Sequence, residues 1–407
     1  MPSRQLVVKT LKNGIKDIEA EMYTALHETG YDRTPEFYGV VQLQSPDSPD
    51  IPLMIILEKN EAPPDLRDEK MTAGANTVQG FISVLEEVGK DKDGEISDLK
   101  RRIETSLDIG IQPKLSFREL LIKISHAIAG FHSALAASSQ QGFGVQPATA
   151  EDVRRIQEHD VEQILKDLLI LSQNSPMEII PHFSVLTQEI LQLTQDVILQ
   201  WPLLHLSRAH GDMQMDQLLL DRFYDLVLLD LGGSPLHTVE QRRLRGMVVQ
   251  DIAGIIRALG YIRYYVAGLL IFKKHILTVE ELQWLYTASR PGSRMPPHPS
   301  IDVIQAKALI ESAKEIESQA GVIVVTAYLD FLESTANTGL LMSQWNRKVA
   351  ETIIHYHVLT RALYEMKYEL SSRAQQGRVL IPLAGLEELL TRFASPGQRN
   401  VALLDAA

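Results

Sequence analysis

The sequence predicts an α+β protein with two unequal lobes, a small β-containing N-lobe and a large, mainly helical C-lobe. β-type runs rich in Val, Leu and Ile occur within the first 60 residues. From residue 61 onward, nearly every segment has the apolar periodicity of a helix. Two short β-type runs, at 218–220 and 226–229, are the exceptions. We therefore place the N-lobe at residues 1–60 and the C-lobe at residues 61–407.

The N-lobe elements follow from local patterns. A short apolar run ends in Lys9 and is followed by a polar turn at 12–14, so a strand, a turn and a helix at 15–28 are predicted. Two further β-type runs, at 37–44 and 51–57, are separated by a segment rich in Pro and Asp. Such a segment is typical of a hairpin loop.

In the C-lobe, the periodicity predicts long helices at 117–137, 150–172, 177–199, 248–272, 301–317 and 349–370. The apolar stretch 247–272 is long enough to cross a bilayer, but it contains Asp251, Arg257 and Arg263. Charges at the centre of a membrane are costly, so a buried core helix is expected and no membrane span. The acidic segment 91–95 has the wrong spacing for a calcium loop and is predicted to be a solvated turn.

Composition and charge exclude several classes of protein. The chain of 407 residues has a formal net charge of −12, which repels polyanions and argues against a nucleic-acid partner. It contains no Cys, which removes disulfides, zinc–thiolate sites and thiol nucleophiles. The N-terminus lacks the pattern of a secretory signal, and a cytoplasmic location is expected.

One segment has polar residues at the spacing of a phosphoryl-transfer site. Asp212 follows His-Gly, an amide comes five positions later as Gln217, and Asp230 follows the two short β-type runs. In kinase-type transfer, a loop Asp accepts the proton of the substrate hydroxyl, and an amide and a second Asp bind magnesium. Gly232 and Gly233 allow a sharp turn after that Asp. The alternative is that Asp212 caps a helix and Asp230 lies in an ordinary turn.

Two later motifs add to this pattern. Residues 251–257 read Asp-Ile-Ala-Gly-Ile-Ile-Arg, and residues 362–370 are followed by Arg373 and by Ile-Pro-Leu-Ala-Gly-Leu at 381–386. With the Asp212 segment, they resemble the maltokinase family, including its closing helix and its Ile-Pro-Leu-x-Gly turn. Members of that family share the protein-kinase-like fold of aminoglycoside phosphotransferases and are sometimes fused to trehalose synthase. The resemblance implies a protein-kinase-like bilobal fold.

The resemblance also implies roles for individual residues. Asp212 would be the base that activates a sugar hydroxyl, with Gln217 and Asp230 as Mg²⁺ ligands. ATP binding is assigned to Lys9 as the phosphate-binding lysine, its helix partner Glu21, and Glu58 and Asn60. Substrate binding is assigned to His210, Gln214, Tyr364 and Tyr368.

Two further kinds of spacing, of tyrosines and of histidines, have structural and functional interpretations. Tyr364 and Tyr368 are four positions apart on one helix face, where two rings can stack on a sugar, although core packing is the alternative. His355 and His357 are about 200° apart on a helix and are not expected to share a metal. His126 and His132 are expected to have satisfied surface or core roles.

The chain departs from the family pattern in three places. Gln214 replaces the second His of the family's loop, Asp216 replaces its Gly, and residues 231–235 lack two acidic side chains. Lys9 also comes before the two strands and the glycine-rich loop that would normally precede it. The N-lobe is therefore interpreted as truncated, with a sheet edge that a rearranged segment or a partner covers. Trehalose synthase, or a chain that supplies the missing elements, is the expected partner.

Two hypotheses follow. The first is an ATP- and Mg²⁺-dependent sugar kinase, which phosphorylates the anomeric hydroxyl of maltose to give maltose 1-phosphate or acts on another sugar such as glucosamine. The second is a catalytically degenerate kinase-like protein that binds a sugar or a partner enzyme.

Overall fold

The computed structural model describes the chain in segments. These are residues 5–11, 18–45, 48–59, 72–90, 98–155, 161–167, 190–191, 194–195, 201–234, 237–290, 298, 301–373 and 377–393. Asn60 and the predicted turn at 91–95 lie outside the described residues, as does most of the helix predicted at 177–199.

Three antiparallel strands and one helix form the N-lobe, which confirms the predicted strand, helix and hairpin. In chain order the elements are β1 (Leu6–Thr10), α1 (Glu19–Glu28), β2 (Phe37–Ser45) and β3 (Ser48–Glu58). β3 lies between β1 and β2 in the sheet. The register places Lys9 opposite Ile55, one pair before the end of the β1–β3 ladder.

Helix α1 packs against this sheet through its apolar face. Met22, Tyr23 and Leu26 are buried in the same core cluster as Ile55. The Tyr23 ring stacks on that of Phe37, with 5.9 Å between the ring centroids. This packing fixes the first turn of α1, and therefore its glutamates, relative to β1.

Strand β1 forms one edge of the sheet in the part of the chain that the structure describes. It pairs with β3 alone. Its apolar side chains are unusually exposed, Leu6 by 55% and Val8 by 56%. Covering of this edge by another segment or by a partner stays a prediction.

The C-lobe is mainly helical. Its helices are α2 (Ala73–Lys90), α3 (Leu99–Ser106), α4 (Phe117–Ala137), α5 (Ala150–Arg155), α6 (Val239–Arg243), α7 (Val249–Phe272), α8 (Val279–Ser289), α9 (Val303–Ser334), α10 (Arg347–Arg373) and α11 (Leu380–Phe393). Several begin at side-chain caps, which satisfy N–H groups that have no partner inside the helix. Ser116 and Glu119 form such a capping box for α4, and Asp302 caps α9.

Three antiparallel strand pairs interrupt the helices. They are β4 (Gly110–Gln112) with β5 (Leu115–Ser116), β6 (Gln146–Pro147) with β7 (His205–Leu206), and β8 (Leu218–Leu220) with β9 (Leu226–Leu228). The β8–β9 pair confirms the prediction. The other two pairs were not predicted, because runs of two or three residues are too short to show an alternating pattern.

Two further predictions need correction. The run 381–386, interpreted as a turn, lies in the first turns of α11. Pro382 is tolerated there because the first N–H groups of a helix have no partner within it. Helix α9 extends to Ser334, well beyond the predicted end at residue 317, and its continuation packs against α4 and α7.

Helix α7 is the central helix of the C-lobe and packs against α9 and α10. Both α4 and α7 are long and apolar enough to cross a membrane, but 56% of the apolar window of each is buried inside the protein. α7 is a core helix, as predicted. Its buried Arg263 lies 2.8 Å from Glu317 and 3.0 Å from Glu388, so the charge is compensated within the lobe.

Helices α2 and α4 approach closely at Gly80. A Cβ atom built there would lie 2.4 Å from the buried ring of Phe117. We expect Gly80→Ala to lower the free energy of unfolding by about 1–3 kcal/mol through overpacking. Gly321→Ala in α9, where a Cβ meets nothing within 4 Å, should instead raise it by about 0.5–1 kcal/mol. Urea denaturation of both variants measures the two effects, and equal shifts of the same sign would contradict the packing argument.

Candidate active site

The Asp212 loop, which we define as residues 207–217, joins β7 to β8 and ends in a 3₁₀ turn at Met215–Gln217. The β8–β9 hairpin then returns the chain to the loop. The N–H of Leu229 donates to the carbonyl of Gln217 at 2.8 Å. His210 Nε2 lies 3.1 Å from the carbonyl of Leu229. The backbone that carries Asp230 is thus bonded to both ends of the segment that carries Asp212.

Asp251, on the first turn of α7, holds the Asp212 loop in place. Its Oδ2 accepts the backbone N–H of His210 at 2.7 Å, and its Oδ1 accepts that of Gly211 at 2.9 Å. His132 Nε2 lies 2.9 Å from Oδ2, and the other nitrogen of His132 bonds the hydroxyl of Tyr328. His132 is therefore a satisfied core residue, as expected. Burial alone would raise the pKa of Asp251, but the His132 hydrogen bond and neighbouring donors outweigh it and lower that pKa below its usual value.

The loop also lies directly on the surface of α7. A Cβ built at Gly254 would be 2.5 Å from the carbonyl oxygen of Met213. Only glycine allows this approach. Asp251 and Gly254 lie on the same helix face and fix the loop by two different contacts.

Asp212 is held at the edge of a large cavity by an arginine of α10. Arg361 Nη2 donates to Asp212 Oδ1 at 3.0 Å, and both side chains are largely buried, with 18% and 14% exposed. The Arg361 guanidinium lies over the ring of Tyr364, 4.9 Å from its centroid. The second carboxylate oxygen of Asp212 has no hydrogen-bond partner among the described residues.

The cavity has a volume of about 860 Å³ and lies between α2, α7, α10 and the Asp212 loop. Gln214, Tyr364 and Tyr368 line it together with Asp212, so the structure brings four of the predicted residues together. The Tyr364 hydroxyl lies 2.6 Å from Ser234 Oγ. Burial raises the pKa of this phenol. It therefore stays protonated at neutral pH and can donate a hydrogen bond.

Other lining residues were not predicted. Arg361, Glu365, Tyr261 and Arg378 all contribute to the cavity wall. Arg361 lies three positions before Tyr364, and Glu365 lies one position after it. Helical spacing from the tyrosine pair could have identified the arginine. The carboxylate of Glu365 lies 3.0 Å from Arg257 Nε.

Lys9 connects the two lobes. Its Nζ lies 2.8 Å from Glu19 and 3.2 Å from Asp230 Oδ1. Burial alone would lower the pKa of Lys9, but the two carboxylates outweigh that effect and raise it. The lysine is therefore charged and reaches the carboxylate that follows the β8–β9 hairpin, as the sequence pattern implied.

The helix partner of Lys9 is Glu19 rather than Glu21, which corrects the predicted pairing. Glu21 is turned toward the C-lobe, where its carboxylate lies 3.4 Å from Arg208 Nη2 and 3.0 Å from Arg243 Nε. Two positions along a helix correspond to about 200° of rotation, so the two glutamates point in nearly opposite directions. Sequence spacing alone could not decide which of them faces β1.

The structure places His210 outside the cavity of Asp212 and Glu58 at the end of β3, and their predicted roles in substrate and ATP binding stay predictions. The His210 ring is buried, with the residue 1% exposed, and it lies away from the cavity that Asp212 lines. Its bond to Leu229 makes it a support of the loop backbone. Glu58 ends β3, and the Tyr38 hydroxyl donates to it at 3.4 Å.

The predicted magnesium ligands are only partly arranged for a cation. Asp230 has a side chain that is 63% exposed, and its φ of 57° is unusual for a residue other than glycine. A carboxylate so placed suits a hard cation such as Mg²⁺. The oxygen of Gln217 instead accepts the N–H of Gln214 at 2.9 Å.

Asp230 and Gln217 are not among the residues that line the cavity of Asp212. Within the described ranges, His, Asp and Glu side chains form no group of three or more that could hold a metal ion. Convergence of Asp212, Gln217 and Asp230 on one ion therefore stays a prediction.

The geometry of two lobes joined by Lys9 and Asp230 is that of a protein-kinase-like α+β bilobal fold. Solved structures of a glucosamine kinase are similar to the chain. One crystal form matches with a TM-score of 0.62 and 17% identity over 95% of this chain and 73% of that one. A complex of a glucosamine kinase with glucosamine, ADP and inorganic phosphate matches with a TM-score of 0.61 and 16% identity, over 95% and 72%.

An aminoglycoside phosphotransferase from Alicyclobacillus acidocaldarius is similar at a TM-score of 0.34 and 10% identity, over 95% of this chain and 87% of that one. No protein-family model matches the chain, and no curated protein matches it. At these identities the likeness defines the fold.

Asp251→Asn tests the support of the Asp212 loop. An amide has one acceptor oxygen, so one of the two backbone N–H groups loses its partner, and the free energy of unfolding should fall by about 2–4 kcal/mol. The folded state lowers the pKa of Asp251 below its ordinary value of 3.8. The charged carboxylate therefore stabilises the fold at a pH above 3.8, and this contribution is lost as the pH falls through the lowered pKa. Urea denaturation at neutral and acidic pH should show the largest difference between variant and wild type at neutral pH.

Asp108→Asn is the matched control for that comparison, because Asp108 lies at the surface with 65% of its side chain exposed. A destabilisation equal to that of Asp251→Asn would contradict the assignment.

Gly254→Ala should displace the Asp212 loop, because the added methyl group meets the Met213 carbonyl. We expect the N–H groups of His210 and Gly211 to exchange with solvent at least about tenfold faster, which corresponds to roughly 1.4 kcal/mol of lost local stability. Hydrogen exchange measures this, and Gly321→Ala serves again as the control. Unchanged protection of these two groups would show that the contact does not hold the loop.

Proposed function

We propose that the protein is an ATP- and Mg²⁺-dependent kinase that phosphorylates a hydroxyl group of a sugar. One observation carries the proposal. Asp212 lies at the wall of a cavity of about 860 Å³, and its Oδ2 has no hydrogen-bond partner among the residues that the structure describes. The Asp212 loop is bonded to the hairpin that presents Asp230 to Lys9. Phosphoryl transfer needs a base at a substrate-sized cavity and a lysine for phosphate, and Lys9 is linked through Asp230 to the hairpin that is bonded to the loop of that base.

In this proposal, Arg361 orients the catalytic base. It binds Asp212 Oδ1 and leaves Oδ2 to accept the proton of the acceptor hydroxyl. Lys9 would bind phosphate oxygens of ATP, and Glu19 would hold the lysine in position. Asp230 would bind Mg²⁺, with Gln217 as a second ligand once its oxygen is released from Gln214. When bound, Mg²⁺ neutralises charge on the transferred phosphoryl group.

The chemistry of the cavity suits a neutral or amino sugar. Tyr261, Tyr265, Tyr364 and Tyr368 offer aromatic faces on which a sugar ring can stack. Four carboxylates line the cavity against two arginines, a net charge of −2, which disfavours acidic or phosphorylated acceptors. The carboxylates are Asp212, Asp216, Glu365 and Glu369.

Two acceptors fit this description. The sequence resemblance supports maltose and formation of maltose 1-phosphate, whereas the structural likeness to a glucosamine kinase supports glucosamine. The cavity volume exceeds the needs of a monosaccharide, which favours maltose. The negative lining favours the amine. Association with trehalose synthase stays a prediction from the sequence.

The second candidate function is a kinase-like protein that binds a sugar without phosphorylating it. The engagement of the Gln217 oxygen by the backbone of Gln214 favours this candidate, because a metal ligand is then withdrawn. Nucleotide binding separates the two functions. Calorimetry with Mg²⁺ and ATP should give heat for a kinase and none for a sugar-binding protein.

Release of ADP from MgATP in the presence of maltose, glucosamine and related sugars tests the kinase. We expect sugar-stimulated turnover, and Asp212→Asn should lower kcat by about 10²–10⁴-fold because a general base is lost. Asp108→Asn, at the surface, should leave kcat unchanged. Absence of turnover with every sugar, together with binding of maltose or glucosamine but not ATP, would reject the kinase in favour of the binding protein.

A further inference from the structure

A second cavity lies on the opposite side of the Asp212 loop. It has a volume of about 660 Å³ and shares no lining residue with the cavity that contains Asp212. Gly211 lines the second cavity, and the next residue, Asp212, lines the first, so the backbone of the Asp212 loop lies between the two cavities. The volume is that of a site for a small molecule.

The charge of the second cavity is opposite to that of the first. Four arginines, Arg154, Arg155, Arg242 and Arg245, line it against Glu151 and Asp152, a net charge of +2. This contrasts with −2 for the first cavity and −12 for the whole chain. A local excess of positive charge in an acidic protein indicates an anionic ligand.

Most of these arginines have no carboxylate partner among the residues that the structure describes. Arg242 Nη1 donates to the carbonyl of Gly232 at 2.7 Å. Arg245 donates to the carbonyl of Gly144 at 3.2 Å and to Gln146 Oε1 at 3.0 Å. Arg154 makes no ion pair with any described residue, and Arg155 alone pairs with Asp152, at 3.1 Å. Three guanidinium groups therefore keep an uncompensated charge.

The wall of the cavity also contains buried polar atoms without partners. His210 Nδ1, His357 Nε2 and Arg242 Nε are buried and have no hydrogen bond within the described chain. His210 as a whole is 1% exposed. These atoms make the wall of the cavity polar, but they have almost no accessible surface, so the groups that can reach an occupant are the arginines. Burial lowers the pKa of His357 to about 4, so its ring is neutral at pH 7.

We infer that the second cavity binds the phosphoryl group of a small anion, either free phosphate or a phosphorylated sugar. The guanidinium group matches the oxygens of phosphate in a bidentate fashion, and such hydrogen bonds are stronger than those between neutral groups. Arg154 of α5 and Arg242 of α6 supply this charge from two separate helices. The occupant lies against the backbone of Gly211, next to the residue proposed as the base.

Calorimetry on the full chain at low salt tests the site with two probes, inorganic phosphate and glucose 6-phosphate. Arg242→Gln should weaken binding about tenfold or more, and Arg154→Glu at least about fivefold, because each removes a charge-assisted contact. Raising NaCl to about 0.3 M should also weaken binding. Tighter binding of glucose 6-phosphate assigns a sugar phosphate, and equal or tighter binding of inorganic phosphate assigns free phosphate. Both outcomes support the site.

Two control variants locate the probe. Tyr368→Ala alters the first cavity and should leave the affinity unchanged. Arg101→Glu reverses a charge on a side chain that is 80% exposed and distant in sequence from the site, and it should also have no effect. Failure of both probes to bind overturns the inference. Binding that is weakened by Tyr368→Ala but not by Arg154→Glu also overturns it, because the probe would then occupy the first cavity.

Discussion

The position of the Asp212 loop depends on one buried carboxylate. Asp251 accepts two consecutive backbone N–H groups and is itself bonded by His132, so its charge is compensated by three donors. Because Asp251 belongs to the central helix of the C-lobe, the loop is fixed to a helix that packs against both α9 and α10. Gly254 completes the attachment by letting the Met213 carbonyl touch the same helix. The position of Asp212 thus depends on a buried carboxylate that is not part of the cavity wall, as well as on Gly254 and Arg361, which are.

The Asp212 loop also separates two cavities of opposite charge. The cavity on one side has an acidic lining with tyrosine rings, and the cavity on the other side has an arginine-rich lining. A backbone strip of a few residues is the wall between them. The proposed kinase would therefore select its acceptor on one side, while a phosphorylated molecule on the other side would contact the same peptide units.

Local sequence patterns predicted the parts of the site that depend on short spacing. The hairpin that brings Asp230 back to the loop, and the shared face of Tyr364 and Tyr368, follow from strand and helix periods. The choice of Glu19 over Glu21 depends on how α1 rotates against the sheet, which tertiary packing decides. Arg361 lies three positions before Tyr364, so the helical period places it near the tyrosine face, but its bond to Asp212 depends on how α10 packs against the Asp212 loop, which tertiary structure decides.

Helix α1 is attached on two sides by residues only two positions apart. Glu19 binds Lys9 of the sheet, and Glu21 binds Arg208, at the start of the Asp212 loop, and Arg243. Since these side chains project about 200° apart, any roll of the helix about its long axis would lengthen both attachments at once. The two attachments therefore restrain rotation of α1 about its axis as well as its translation. The orientation of Glu19, the partner of Lys9, thus depends on the contact that Glu21 makes with the Asp212 loop of the C-lobe.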